Sequence, residues 1–333
     1  ESAHLSELSA RLDARKLTLL DFVQALGPHL TSDADLIRAR SIALLGSTVA
    51  QTKSCVSRHD VGVLLPFLIS QMADKAVVAS ALSLLTVIVK LSVFNATTHG
   101  PQLLLALKDK YSPLKHLAKV RFEAFELMEA LFPKVMATVP TVSVADSASG
   151  IDTPQTDSNP VWLQFAQTFE HIANGEKDPR NLIASFELNH QIVDNFPFTQ
   201  PENGNILADL FDVAFCYFPI SFTPPANDPY GITADQLKNK LRGALAAHRL
   251  NADDLFSSLI EKLTLTNPAV RNDVLQTMLA SVTRFSFEDL QNHWIPLWNA
   301  LKYEILHNDV SQFDSLNDTI IPKDYIEKMD NTD

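Results

Sequence analysis

The sequence predicts an all-α fold, a solenoid of about seven stacked antiparallel helix pairs. Two observations lead to this prediction. A helix–turn–helix pattern returns with a period of about 40 residues, and the 333 residues include only 9 glycines while 46% are hydrophobic. So few glycines leave little room for hairpins, and the chain is longer than a single compact core usually grows. Repeats of this length and form are typical of HEAT arrays.

The first repeat shows the pattern most clearly. Apolar residues at helical spacing predict a helix over 17–30, residues 31–35 supply a turn with an N-cap, and Ile37 and Arg38 open a second helix. The same reading predicts further helices over 61–72, 78–89, 101–111, 116–132, 162–173, 182–196, 206–218, 234–247, 255–263 and 290–306, and one that starts at Pro268.

Charged residues recur in register with these repeats. Arg38, Arg121 and Arg271 occupy one position of the repeat, which predicts that each reaches the acidic or carbonyl groups of an adjacent turn. Glu123, Glu126 and Glu129 also follow a regular spacing, but the apolar residues between them predict a solvated helix face and not a pair of catalytic carboxylates.

The predicted organisation has four parts. Residues 1–136 form N-terminal repeats, 137–160 a flexible linker rich in Ser, Thr, Pro and Asp, 161–318 continuing repeats, and 319–333 a tail. Two arrangements remain open for the linker. It either loops out of one continuous stack or separates two stacks.

Chemistry at a built-in centre is not expected. The ten histidines include no pair three or four residues apart, and no Gly-rich phosphate loop or nucleophile elbow occurs, so we predict no catalytic site, no metal and no cofactor. Cys55 and Cys216 lie far apart and predict buried packing within helices in a reducing compartment.

Charge and hydropathy bear on the class of partner. Residues 1–135 carry a net charge of +3 and residues 136–333 one of −15, so the acidic half argues against direct nucleic-acid binding. The longest apolar stretch, 76–89, is shorter than the ~20 residues that cross a bilayer, and no membrane association is expected. The densest basic segment suggests a docking patch for an acidic protein surface, with ordinary surface lysines as the alternative. Its residues are Lys108, Lys110, Lys115 and Lys119.

A proline-rich insert follows the predicted helix 206–218, and its sequence from Cys216 to Ile232 resembles a signature of the MMS-nineteen family, called Met-eighteen in yeasts. The stretches 26–40 and 296–304 support the resemblance, so the chain is similar to that family's N-terminal region. The insert is too long for a simple turn, and its aromatic residues predict packing onto neighbouring helices. The signature residues are Cys216, Tyr217, Phe218, Pro219, Phe222, Pro224, Pro225, Asn227, Asp228, Pro229 and Gly231.

The resemblance implies a HEAT-repeat adaptor of the cytosolic iron–sulfur assembly machinery, also linked to nucleotide excision repair and the transcription factor TFIIH. Such an adaptor recruits apo-proteins, chiefly DNA helicases and polymerases, in the cytoplasm and nucleus. It contacts the cluster-targeting complex through C-terminal repeats that this chain lacks. The alternative is a generic HEAT adaptor such as a nuclear transport receptor or a phosphatase scaffold. Whether the chain forms a homodimer is left open.

Overall fold

The computed structural model describes residues 2–52, 56–140, 159–198, 204–225, 229–265 and 267–307. Over these residues the chain contains fifteen α-helices and no β-strand, which confirms the all-α prediction. The chain divides into two compact units, residues 1–213 and 214–333, and each is described by itself.

Unit 1 is a two-layered stack of helix pairs. Its helices are α1 (Ser2–Asp13), α2 (Leu19–Leu30), α3 (Asp35–Gln51), α4 (Arg58–Gln71), α5 (Val78–Lys90), α6 (Ala96–Lys110), α7 (Ala118–Met136), α8 (Val161–Ala173) and α9 (Pro179–Asn195), and α10 (Gly204–Phe215) ends at its boundary. The first helices of successive pairs pack together, α4 on α6 and α6 on α8, while the second helices α3, α5, α7 and α9 pack in series. Each pair thus buries its apolar face against its neighbours, as a solenoid requires.

Unit 2 repeats the pairing on a smaller scale. It contains α11 (Ala234–Ala247), α12 (Ala252–Leu263), α13 (Pro268–Arg284), the short α14 (Phe287–Leu290) and α15 (Trp294–His307). Helix α13 packs on both α11 and α12, and α15 packs on α12. Leu255, Leu259 and Val274 are fully buried between these helices.

Local chemistry fixes where the helices begin. Thr18 and Asp21 form a capping box at the start of α2, and Ser57 and Asp60 form another at α4, each satisfying backbone N–H groups that have no partner within the helix. The predicted cap of α3 is wrong, because Ala34 stands at the N-cap and no side chain caps that helix. Arg38 instead donates to the Ser32 carbonyl oxygen of the preceding turn at 2.7 Å.

Several predicted boundaries are corrected by the structure. Helix α6 starts at Ala96 and not at Pro101, because the Asn95 side chain caps it; Pro101 lies inside the helix. Helix α10 stops at Phe215 because Phe218 precedes Pro219, and the residue before a proline disfavours the helical conformation.

Three further differences concern α1, α7 and α15. The predicted helix 290–306 is two helices, because Pro296 fits the first turn of α15 and would disrupt the interior of a longer helix. Helix α1, which packs on α3, was not predicted. Helix α7 also continues to Met136, past the predicted end at residue 132.

An aromatic cluster joins α7, α8 and the end of α9. Phe165 is fully buried and its ring meets Phe196 edge to face, with 5.8 Å between the centroids. Phe132 lies 6.0 Å from Phe165, and Trp162 lies 5.8 Å from Phe196. Helix α8 therefore packs directly on α7, although residues 141–158 of the predicted linker lie outside the described residues.

Candidate protein-binding surface

The four lysines of the predicted docking patch lie around one turn of unit 1. Lys108 and Lys110 are in the last turn of α6, Lys115 ends a 3-10 turn (Pro113–Lys115), and Lys119 is the second residue of α7. All four are exposed. The structure thus places them at the junction between the two helices of the third pair, and their role in binding stays a prediction.

Buried residues hold this junction in place. Pro113 and Tyr111 are buried, and the Tyr111 ring stacks on His116 with 5.1 Å between centroids and 4° between planes. The His171 Nε2 atom of α8 lies 2.8 Å from the Tyr111 carbonyl oxygen. A turn fixed on both sides presents its exposed side chains in a defined arrangement.

Arg121 links this junction to the next one. Its Nη1 atom donates to the His116 carbonyl oxygen at 2.7 Å, while Nε and Nη2 donate to the two carboxylate oxygens of Glu176 at 2.7 and 2.6 Å. Glu176 also accepts from the backbone N–H of Asp178 and from Asn181 Nδ2, both at 2.9 Å. Burial alone would raise the pKa of Glu176, but these hydrogen bonds together lower it. We call the Arg121–Glu176 pair and its equivalent below arginine clamps.

Arg38 forms the equivalent clamp between the first and second pairs. Its Nε and Nη2 atoms donate to Asp74 Oδ2 at 3.0 and 2.6 Å. The prediction that Arg38 and Arg121 reach the adjacent turn is confirmed. The Arg271 Nη1 atom lies 3.6 Å from Glu304 Oε2 on helix α15, and its predicted contact with an adjacent turn stays a prediction.

The glutamates of α7 lie only partly on a solvated face. Glu126 and Glu129 are exposed as predicted, whereas Glu123 is half-buried. Burial, reinforced by the neighbouring Glu126 carboxylate, raises the pKa of both Glu123 and Glu129. The arrangement crowds like charges and offers no pair of carboxylates with opposed roles.

The family signature forms the start of unit 2. Phe218 is buried and stacks on Phe215 at 5.7 Å, Phe222 is half-buried, and Tyr230 is 58% exposed. The predicted packing of the three aromatic side chains is therefore wrong for Tyr230. Gly231 has φ +62°, a conformation that side chains rarely adopt, so glycine suits the end of the insert.

The remaining signature residues follow the chain along the surface. Tyr217 and Pro219 are half-buried, while Pro224, Pro225 and Pro229 are exposed. Asn227 and Asp228 lie outside the described residues.

The two cysteines were predicted to pack inside helices, and Cys216 does not. It is exposed, in the turn that follows α10, because the helix ends one residue earlier than Cys216. Cys55 lies outside the described residues.

A small cavity lies behind the signature insert. Phe218 and Ile220 cover it, and Lys238, Arg242 and Asp273 line it. Lys238 Nζ lies 2.8 Å from Asp273 Oδ2, and Arg242 Nε is buried without a hydrogen-bond partner. The cavity volume is about 10 Å³, which suits one water molecule and is too small for a metabolite.

Sequence reasoning missed four residues of the surface around Lys115. Leu114 and Leu117 are 69% and 80% exposed, and Lys75 and Lys177 are exposed on the turns before and after them. Each of these lysines directly follows the acid of an arginine clamp. In both cases the acid is the third residue after the end of a helix and the lysine is the fourth. That repeated acid–lysine pair was the signal available in the sequence.

Over the described ranges, no group of three or more His, Cys, Asp or Glu side chains is placed to hold a metal ion. Within the same ranges, no helix combines the length and apolarity needed to cross a membrane.

Comparison with known proteins identifies the family. Residues 23–307 match the family model described as Dos2-interacting transcription regulator of RNA-Pol-II. The chain is 36% identical over 295 residues to the Saccharomyces cerevisiae DNA repair/transcription protein Met-eighteen, also named MMS19, covering 88% of this chain and 27% of that protein. It is 27% identical over 304 residues to the human MMS19 nucleotide excision repair protein homolog, covering 90% of this chain and 27% of the human protein.

A similar relative occurs in zebrafish. The MMS19 nucleotide excision repair protein homolog of Danio rerio is 26% identical over 311 residues, covering 90% of this chain and 27% of that protein. The chain thus spans about a quarter of the length of these relatives. With a matching family model over most of its residues and an all-α repeat fold, the chain belongs to the MMS19 family.

Proposed function

We propose that this chain is part of a protein-binding scaffold that recruits apo iron–sulfur proteins to the cytosolic cluster-targeting complex. The proteins recruited are enzymes of DNA repair, replication and transcription, such as helicases and polymerases. The observation that carries the proposal is the family match over residues 23–307. The scaffold acts in the cytoplasm and the nucleus, in keeping with relatives named for DNA repair and transcription.

The described surface suits a scaffold. Stacked pairs present long rows of helices and turns, which bind other proteins by area and not through a deep pocket. The cavity behind the signature insert accommodates no more than a water molecule. Lys108, Lys110, Lys115 and Lys119 project from one junction of unit 1 and supply positive charge for an acidic client surface.

A retention experiment tests the proposal. The 333-residue chain is immobilised and offered three purified proteins: an apo DNA helicase with an empty cluster site, the same helicase with its cluster loaded, and a helicase that has no cluster site. We expect the apo helicase to be retained most strongly, with modest affinity because the chain spans about a quarter of the length of its relatives. Equal retention of all three helicases would contradict recruitment of iron–sulfur clients.

A second arm tests the division of labour along the family's chain. The cluster-delivering proteins of the targeting complex are offered to the same immobilised chain, and we expect little retention. Tight binding of these proteins would show that the N-terminal region itself engages the targeting complex.

A further inference from the structure

The junction between α6 and α7 exposes two leucines that the fold could have buried. Leu114 and Leu117 are the two most exposed large hydrophobic residues described in unit 1. Single exposed leucines are common on proteins, but two on one short turn form an apolar patch, and such patches mark interaction sites. The fold does not need this exposure, because the same turn buries Pro113 and Tyr111.

The turn is rigid, so the exposure of the leucines is not a result of a loose loop. Arg121 holds the His116 carbonyl oxygen at 2.7 Å. Leu114 lies on Gly175 of the next turn, with its Cδ2 atom 3.5 Å from the position that a Cβ of Gly175 would occupy. A prearranged surface loses little conformational entropy when it binds a partner.

Positive charge surrounds the two leucines. Lys115 lies between them in sequence. Burial lowers the pKa of His116, and the charge of Lys75 is the next largest cause, so Lys75 lies close to this turn. Lys177 lies two residues after Gly175, the residue against which Leu114 lies.

The acids beside these lysines are already engaged. Arg38 binds Asp74, and Arg121 binds Glu176, with two hydrogen bonds to each carboxylate. Among the described residues, neither Lys75 nor Lys177 has an ion pair. The arginine clamps therefore leave the lysines available to an external carboxylate.

We propose that this turn surface, defined as Leu114, Leu117, Lys75, Lys115, Lys119 and Lys177, binds an acidic amphipathic segment of a partner protein. Apolar side chains of the segment contact the two leucines, and its carboxylates face the surrounding lysines. The inference rests on the proposed scaffold function and names the kind of client segment that unit 1 recognises. A nucleic acid would use the lysines but gain nothing from the leucines, and two leucines offer a membrane little insertion.

Fluorescence anisotropy of a labelled peptide measures the contact directly. The probe is a helical peptide of about 16 residues with leucines at positions i, i+3, i+4 and i+7 and glutamates elsewhere. The 333-residue chain should bind it, and added salt should weaken binding because exposed charges are screened. Replacing Leu114→Ser and Leu117→Ser together, or Lys115→Glu and Lys119→Glu together, should raise the Kd about tenfold or more.

Matched controls lie at the other end of unit 1's helices. Leu20→Ser with Lys16→Glu alters an exposed leucine, 58% accessible, and an exposed lysine near the start of α2. At 1.5 Å per residue, the start of α2 is about 18 Å from the turn that follows this helix. This variant should bind like the parent. Circular dichroism melting should show an unchanged midpoint for every variant, because each replaced side chain is exposed.

Three results would overturn the inference. One is equal binding of a peptide in which serines replace the leucines, since the contact would then be charge alone. Another is equal binding by the turn variants and the parent. The third is binding to phosphatidylserine vesicles, lost in the turn variants, with no peptide binding. If apo-helicase retention persists while the peptide fails to bind, the scaffold proposal stands and only the turn surface is excluded.

Discussion

The guanidinium of Arg121 contacts groups on two successive turns, and its carboxylate partner Glu176 is fully buried. A buried carboxylate that loses its partner remains charged in a poorly solvated place. Arg38 makes the same kind of contact with Asp74, but that carboxylate keeps 30% of its side chain exposed. The two clamps therefore share a geometry and differ in what their loss should cost.

Removing the Arg121 side chain tests this difference. Arg121→Ala should destabilise the fold by about 3–5 kcal/mol, because it strands a buried charge. Arg38→Ala should cost less, since water reaches Asp74. Adding Glu176→Gln to Arg121→Ala should recover part of the loss, as an amide oxygen still accepts from the backbone without a charge. Thermal melting of the four proteins decides, and equal losses for the two arginine variants would contradict the burial argument.

Acidification provides an independent test of Glu176. Its pKa in the fold lies below the ordinary value of 4.5, so its contribution to stability is present above that pH and is lost as pH falls through the lowered value. Glu123 and Glu129 have raised pKa values and act in the opposite direction, since protonation removes the cost of burying their charge and relieves the repulsion from Glu126. We expect the melting midpoint of the parent to fall more than that of Glu176→Gln as the pH is lowered. The pH range from about 6 to about 3 is suitable, because carboxyl groups titrate there. Parallel curves would contradict the assignment.

At the residue scale, the sequence predicted the arginines but not all of their partners. The recurrence of Arg38 and Arg121 in the same register was enough to predict contacts to the adjacent turn. Glu176 could not be identified in the same way, because 55 residues separate it from Arg121 and the predicted linker 137–160 lies between them. The exposed Leu114 and Leu117 were also missed, since hydrophobic periodicity assigns leucines to a core and says nothing of leucines in a turn.

At the scale of elements, helices with a clear apolar stripe were predictable and their ends were less so. The prediction for α5, residues 78–89, differs from the structure by one residue. No side chain caps this helix, but its strongly apolar sequence is enough to predict both of its ends. The predicted start of α6 was wrong because Pro101 lies inside the helix, which the Asn95 cap begins earlier. The predicted end of α10 was wrong because Phe218 precedes Pro219 and is disfavoured in a helix. Helix α1 was not predicted, although Leu5, Leu8 and Leu12 stand at helical spacing in its sequence.

The aromatic cluster between α7, α8 and α9 should contribute strongly to the stability of unit 1. Phe165→Ala removes a fully buried ring that meets Phe132 and Phe196, and should cost about 3–5 kcal/mol. Leu105→Ala, which removes a mostly exposed side chain from the neighbouring α6, should change stability by less than about 0.5 kcal/mol. Urea denaturation followed by circular dichroism measures both, and a small effect of Phe165→Ala would show that the helices do not depend on the cluster.

At the scale of the whole molecule, both the fold and the family were predictable. The helix–turn–helix repeats predicted the fold, and the long signature from Cys216 to Ile232 indicated the family. The match over residues 23–307 confirms the resemblance. The division into compact units at residue 213 was not predicted, since the sequence places its compositional change at the 137–160 segment instead. The boundary between compact units depends on contacts between helices, and a change in composition gives no information about those contacts.

The whole chain should carry no stoichiometric metal when purified. Its two cysteines are far apart and no histidines pair on a helix, so the ligands of a stable zinc or iron–sulfur site are missing from the sequence. Elemental analysis of the purified chain by mass spectrometry measures zinc and iron. An equimolar amount of either metal, retained after dialysis against a chelator, would contradict a scaffold that only recruits cluster proteins.

The two arginine clamps bear on how proteins of this kind change length. Arg38 and Asp74 are 36 residues apart in the chain, whereas Arg121 and Glu176 are 55 residues apart. Both arginines nevertheless donate through Nε and Nη2, and the difference in separation nearly equals the length of the segment 141–158. Each clamp joins residues that are close in space, whatever their separation in the chain. Insertions between α7 and α8 can therefore change in length without shifting one helix pair against the next. We therefore expect selection on this stack to act on the arginine and its distant acid more strongly than on the stretch between them.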